Sequence, residues 1–134
     1  VIGRAGKSMQ FQPMLKLLIP VAILLTSAVS HAGGEFRHVV MFKFKDSATP
    51  EQVAAVEKAF AELPAKIDEI VDFEWGTSAS ADGRDNGFTH CVFMTFKDKA
   101  DLETYLPHPA HVAFKQASLP VIEKLMVLDY IAKD

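Results

Sequence analysis

The sequence predicts an α+β fold: one antiparallel sheet of four strands with helices on one face, in the order β-α-β-β-α-β. Three observations predict it. The stretches 36–45, 70–78, 88–96 and 124–132 alternate in polarity or run apolar, as strands do. The stretches 49–63 and 98–119 carry caps, prolines at first turns and apolar residues at helical spacing. The polar segment 80–87, rich in Asp and Gly, joins the second and third strands as a hairpin connection does.

Ahead of these elements lies a segment of different character. Residues 1–32 hold Arg4, Lys7 and Lys16 and no acid, run apolar from Leu17 to Ala28 and end in Ser30-His31-Ala32. A basic start, an apolar core and a small-x-small exit predict a secretory signal peptide cleaved after Ala32. The apolar run is too short for a span that needs ~20 residues, so no stable membrane insertion is expected after cleavage. No cysteine lies near the cleavage point to take a lipid. The mature chain, 33–134, is expected to form one domain and to be exported, to a periplasm or the medium. It keeps 11 of the 14 basic residues against all 17 acids, which moves the formal charge from −3 to −6. That balance excludes a nucleic-acid partner, which needs a basic footprint. Cys91 is the only cysteine, so no disulfide can staple the fold.

In the first strand Phe36, His38, Val40, Phe42 and Phe44 share a core-like face, and Arg37, Val39, Met41 and Lys43 share the other. Thr49-Pro50-Glu51-Gln52 opens a helix with a capping box and a proline in its first turn. Val53, Val56, Phe60 and Leu63 form its stripe, and Pro64 ends it or steps into a last turn holding Ile67. Val71, Phe73 and Trp75 alternate with Asp72 and Glu74 in the second strand. Phe88, His90, Val92, Met94 and Phe96 share a face of the third. Asp98 caps a short helix through Leu106, Pro107 interrupts it, and Pro109 restarts it. Val112, Ala113, Ala117 and Leu119 are expected to pack, with Phe114 reaching the core or a pocket. The final strand, 124–132, is apolar on both faces.

This order is that of a ferredoxin-like fold. One face of such a sheet is left bare, and Val39, Met41, Phe73, Trp75, Phe93 and residues of the last strand are expected on it. A patch of that size predicts a homodimer closed sheet to sheet, a dimeric α+β barrel.

The same residues carry a resemblance. His38-Val39-Val40 with Phe42-Lys43-Phe44-Lys45, Trp75-Gly76, Gly87-Phe88-Thr89-His90, Tyr105 with His108-Pro109-Ala110-His111, and Asp129-Tyr130 stand in the order and spacing of the stress-responsive dimeric A/B barrel (Dabb) domain. The chain is similar to that family from about residue 36 to 131, nearly all of the mature part. The resemblance implies the ferredoxin-like protomer and the sheet-to-sheet dimer. One enzymatic branch of the family is a plant polyketide cyclase that works by aldol condensation without a metal. Its catalytic histidine matches His111, its catalytic tyrosine matches Tyr105, and a further pocket histidine matches His38. The matching lining here is Val40, Phe42, Val56, Phe60, Val92, Phe114 and Ile122. Ile122 replaces a large aromatic of the plant enzyme, and an exported protein has no evident supply of polyketide-CoA. That enzyme's own substrate is therefore not expected here.

The chemistry sits in Tyr105-Leu106-Pro107-His108-Pro109-Ala110-His111. A neutral His111 in an apolar pocket can take a proton from an acidic C–H, and Tyr105 can polarise a carbonyl if the Pro107 break turns it inward. Bland roles compete: His111 capping a carbonyl, Tyr105 packing, and His108 accepting a backbone N–H at the helix start. His38 and His90 open the first and third strands on the helix-side face. These strands are expected to be central neighbours running parallel, with the two rings close together. With His111 they would put three imidazoles at one end of a pocket, a set that suits zinc or copper. The spacing is no recognised metal motif, so hydrogen-bonded histidines at a pocket rim are expected, with no metal and no cofactor. The residues thus predict a small apolar ligand held among His38, Val40, Phe42, Val56, Phe60, His90, Val92, Phe114 and Ile122. One alternative is an enzyme that uses His111 as base and Tyr105 as donor. The other is a stress-protective dimer without a ligand.

Overall fold

A computed structural model of the chain describes residues 34–133. The expected leader and its cleavage point lie outside the described residues. The element order is β1 (Phe36–Phe44), α1 (Pro50–Ala61), α2 (Leu63–Lys66), β2 (Asp72–Thr77), β3 (His90–Phe96), α3 (Lys99–Tyr105), α4 (Pro109–Ser118) and β4 (Ile122–Ile131), with a 3-10 turn at Leu119–Val121. The sheet order is β2-β3-β1-β4, and every neighbouring pair is antiparallel. Among the described residues no helix is long and apolar enough to cross a membrane.

Local chemistry accounts for the element ends. The Gln52 N–H donates to the Thr49 hydroxyl and the Thr49 N–H donates back to the Gln52 side chain, closing the capping box that starts α1. Asp98 caps α3 through the Asp101 N–H. At α4, Pro109 occupies the first turn and the Ala110 N–H donates to His108 Nδ1 at 3.1 Å. In the loop before β3, Asn86 and Gly87 both take positive φ, and the Gly87 N–H donates to Asp85.

One face of the sheet is covered by the helices. Phe36, Phe42 and Phe44 of β1 are buried there, as are Val92, Met94 and Phe96 of β3. They pack with Val56, Phe60, Leu63, Ile67, Leu102 and Tyr105 into one apolar cluster. Phe73 and Trp75 lie on this same face, against the expectation that they lie on the bare one. The register sets Phe73 opposite Met94 and Trp75 opposite Val92, and cross-strand partners share a face. Trp75 meets Phe60 edge to face at 4.8 Å. The bare face instead carries Asp72 and Glu74 beside an apolar centre of Val39, Met41, Phe93, Met126, Leu128 and Tyr130. In β4, Leu128 is 54% exposed and Tyr130 41%.

A second expectation also changes. α4 does not pack through Ala113, Ala117 and Leu119: the two alanines are exposed and so is Leu119. It buries His111 and Ser118, with Phe114 and Lys115 half-buried between them. These four positions, at intervals of three, one and three, make one helical stripe. The inward side of α4 is thus a polar and aromatic stripe.

Leu63 is 1% exposed, at the step between α1 and α2. Leu63→Ala is expected to destabilise the fold by about 2–5 kcal/mol in urea unfolding. A loss below about 1 kcal/mol would mean that the core closes without it.

Candidate functional site

A cavity of about 250 Å³ lies between the sheet and α3–α4. Its floor is apolar, with Val40 and Phe42 of β1, Val92 and Met94 of β3, and Leu125 and Val127 of β4. Phe60, Phe114, Leu119 and Ile122 close it around the sides. Polar groups gather at one end: His38, Tyr105, His111 and Asp129.

The Pro107 break builds that end. α3 stops at Tyr105, Pro107 prevents its continuation, and α4 begins at Pro109. The His108 N–H bonds back to the Tyr105 carbonyl at 3.0 Å, so the chain turns tightly. Tyr105 is thereby turned inward, 1% exposed, with its ring stacked on His111 at 4.1 Å. The two residues, six apart in sequence, become direct neighbours across the break.

His111 Nδ1–H donates to the Leu106 carbonyl at 3.0 Å. In the neutral ring that leaves Nε2 as the nitrogen able to accept a proton. Burial lowers the His111 pKa below its ordinary value. The bond to Leu106 opposes this shift, and the charges of Lys115, His38 and His108 add to it. Burial pushes the Tyr105 phenol far above its ordinary value, so it stays protonated at neutral pH and is able to donate a hydrogen bond.

His38 Nδ1–H donates to the Asp129 carboxylate at 2.6 Å. The pair follows from register, because His38 lies opposite Asp129 on neighbouring strands. The ring also meets Tyr105 edge to face at 5.8 Å and Phe96 at 6.2 Å. His38, Tyr105 and His111 thus form a continuous run of rings, anchored by Asp129 at one side and the Leu106 carbonyl at the other.

Most of the expected lining is brought together here: His38, Val40, Phe42, Phe60, Val92, Phe114 and Ile122, with Tyr105 and His111. Two expected members are not. Val56 lies in the core and faces a separate cleft between α1 and α4, with Ala59, Ala117 and Val121. His90 stands at the other end of the sheet. β1 and β3 are antiparallel, so His38 pairs with Met94 while His90 pairs with Phe42. His90 Nε2–H donates to Glu57 at 3.0 Å, the Thr89 hydroxyl lies 2.8 Å from Nδ1, and the ring stacks on Phe42 at 5.0 Å. The three imidazoles therefore do not converge. Among the described residues no group of three His, Cys, Asp or Glu side chains is arranged to hold a metal. His108 takes the helix-start role, and burial together with Glu74 raises the Cys91 thiol pKa, so Cys91 is no ready nucleophile.

Several site residues were not foreseen, chiefly Asp129 and Lys115. A sequence signal existed for each. Asp129 is the only charge on the helix-side face of β4, and Lys115 stands four residues after His111, on the same helix face.

Comparison with known proteins places this arrangement among relatives. A profile described as "Stress responsive A/B Barrel Domain" matches residues 36–132. A stress-response A/B barrel domain-containing protein of Arabidopsis thaliana is 34% identical over 102 residues, 76% of this chain and 94% of that protein. Olivetolic acid cyclase of Cannabis sativa is 33% identical over 94 residues, 70% of this chain and 93% of that protein. Of solved structures, hydroxynitrile lyase from Passiflora edulis superposes with a TM-score of 0.72 at 27% identity, covering 76% of this chain and 96% of its own. A dimeric protein of ferredoxin-like fold from Bacteroides fragilis gives 0.61 at 28% identity, covering 74% and 97%.

The lowered His111 pKa has a definite signature. The unfolded ring takes up a proton near pH 6.5 while the folded ring resists, so stability falls as pH drops through and below about 6.5. His111 is expected to titrate below about 6.5 by NMR. His111→Gln should flatten the acid limb of stability against pH. A midpoint above the reference would remove the desolvated, neutral His111.

Proposed function

The chain belongs to the stress-responsive A/B barrel (Dabb) domain family, and from that premise we propose that it binds a small, largely apolar ligand between its sheet and α4. The observation that carries this reading is the contrast within one cavity: apolar walls along its length, and His38, Tyr105 and His111 gathered at one end. Pockets of this make-up take a ligand whose body is apolar and whose few polar atoms fix its orientation. The volume, about 250 Å³, favours a compact ligand or a short chain.

A second reading uses the same end of the pocket for catalysis, and the His111 geometry favours it. A ligand carbonyl placed beside Tyr105 would accept its hydrogen bond. His111 Nε2 would take a proton from the adjacent carbon, and the C–H electron pair would move into the carbonyl as an enolate. The Tyr105 hydroxyl would hold the enolate oxygen until the protonated His111 returned the proton. Asp129 would keep His38 in one tautomer beside Tyr105. Two relatives bearing the names of enzymes, a cyclase and a lyase, support this reading at the level of class.

We also propose that the protein works as a homodimer outside the cytoplasm. The bare sheet face, with Met126, Leu128 and Tyr130 each at least 41% exposed, supports the dimer. So does a solved relative described as dimeric. Export rests on the basic, apolar and small-residue pattern of residues 1–32. Closing two sheets on each other leaves both pockets on the outside of the barrel, under the helices.

Three measurements test these readings. 2-Octanone serves as a neutral probe with acidic C–H groups beside its carbonyl. It is expected to shift the amide signals of Val92, His111 and Phe114. His111→Ala should weaken its binding about fivefold, with the melting temperature changed by only a few degrees. No shift at these residues would leave the stress-protective dimer without a ligand as the better reading. Unfolding of the variant would make His111 a structural group. For catalysis, hydrogen–deuterium exchange beside the carbonyl is expected in D2O with the wild type; normal exchange in His111→Gln would end the base role.

The third measurement concerns assembly. Leu128→Asp places a charge on the bare face and away from the cavity, and should convert a dimer into a folded monomer by light scattering. A wild type that is already monomeric at micromolar concentration would overturn the dimer.

A further inference from the structure

We propose that the pocket selects a small amphipathic carboxylate, with Lys115 pairing the carboxylate at the mouth and the apolar body lying over Phe42, Val92 and Phe114. The inference rests on the ligand-binding reading above and adds the ligand's charge to it.

Two of the described lysines are half-buried, Lys43 and Lys115. Lys43 is neutralised by Glu123 at 2.8 Å and Asp46 at 3.7 Å. Lys115 lines the cavity and has no ion pair among the described residues. It sits one helical turn beyond His111, on the same face of α4, close enough for its charge to act on the imidazole. The other formal charge in the lining, Asp129, is held by His38. The chain as a whole is acidic, with 17 acids against 14 basic residues, so this cation is no sample of a generally basic surface.

A ligand that fills the cavity and lies against Lys115 takes water from it. A neutral ligand would leave the ammonium partly desolvated and unpaired, and an amine would add repulsion. A carboxylate replaces the lost water with a charge-assisted hydrogen bond. Among the described residues Lys115 is the only Lys or Arg in the lining, and the rest of the wall is mostly apolar. That favours a singly charged head over a phosphate, which takes several donors. The ligand class is therefore a short-chain or aromatic acid, bound by its apolar body and oriented by its charge.

The test uses octanoate and its neutral isostere octanamide on the full chain, by calorimetry with amide shifts to locate binding. Octanoate is expected to bind the wild type about tenfold more tightly than octanamide. Lys115→Gln should erase the difference by weakening octanoate, with octanamide bound at least as tightly as by the wild type, and Lys115→Glu should make octylamine the preferred probe. Equal binding of octanoate and octanamide by the wild type, or a preference that survives Lys115→Gln, would overturn the assignment of Lys115 and leave the pocket reading standing. If no probe shifts the signals of Val92 and Phe114, the pocket reading falls as well. Octanoate shifting only residues of the bare sheet face would overturn the proposal too.

Discussion

The pairing of β1 with both of its neighbours is the constraint on which the rest of the molecule depends. β1 is hydrogen-bonded to β3 on one side and β4 on the other, and all nine of its residues have a partner on β4. Side chains alternate along a strand, so a slip of one residue would turn Phe36, Phe42 and Phe44 out of the core and Arg37 and Lys43 into it. The same register sets His38 opposite Asp129 and Val40 opposite Val127, which makes one end of the cavity polar and its floor apolar. Core and site are thus fixed by one set of backbone bonds.

The second determinant is the interruption between α3 and α4. A continuous helix would place Tyr105 and His111 about 9 Å apart along its axis, nearly two turns. Pro107 and Pro109 break it, and the two rings come to stack at 4.1 Å. The break also frees the Leu106 carbonyl, which then fixes the His111 tautomer. The bland role for His111, bonding a backbone carbonyl, does not exclude the chemical one: Nδ1 makes the structural bond and Nε2 is left able to accept a proton. His108 and His111, identical in type and three residues apart, are distinguished by which group each bonds.

Much of this was legible in the sequence where one residue decides one contact. Thr49 and Gln52 form the capping box they announce, His108 meets the helix start, and the inward stripe of β1 is the alternating one. What was not legible depends on the path of the chain. A helical crossover from β1 to β2 leaves those strands parallel, and the hairpin from β2 reverses β3. β3, lying between them, must then be antiparallel to both, which is why His90 sits far from His38. The face of β2 was misread for a related reason. Alternation divides a strand into two sets but does not say which set faces the helices, and only pairing with Met94 and Val92 assigns Phe73 and Trp75. Asp129 and Lys115 escaped because a charged residue in an apolar strand or on a helix reads as solvated until its neighbours are known.

The two faces of the sheet differ in what they carry, and β4 belongs to both. Its odd-numbered residues Leu125, Val127 and Asp129 line the cavity, and its even-numbered residues Met126, Leu128 and Tyr130 lie on the bare face. β4 is also an edge strand, and no helix covers it fully: Leu125 and Val127 are each 47% exposed. A partner sheet packed on the even face would hold the backbone that carries the odd face, and so would stiffen one wall of the pocket. The His38–Asp129 bond spans β1 and β4 at the polar end, where a shift of β4 would be felt as a change in the His38 ring. A dimer closed on that face would therefore be coupled to the cavity through one strand, with no contact needed between a partner's side chains and a ligand.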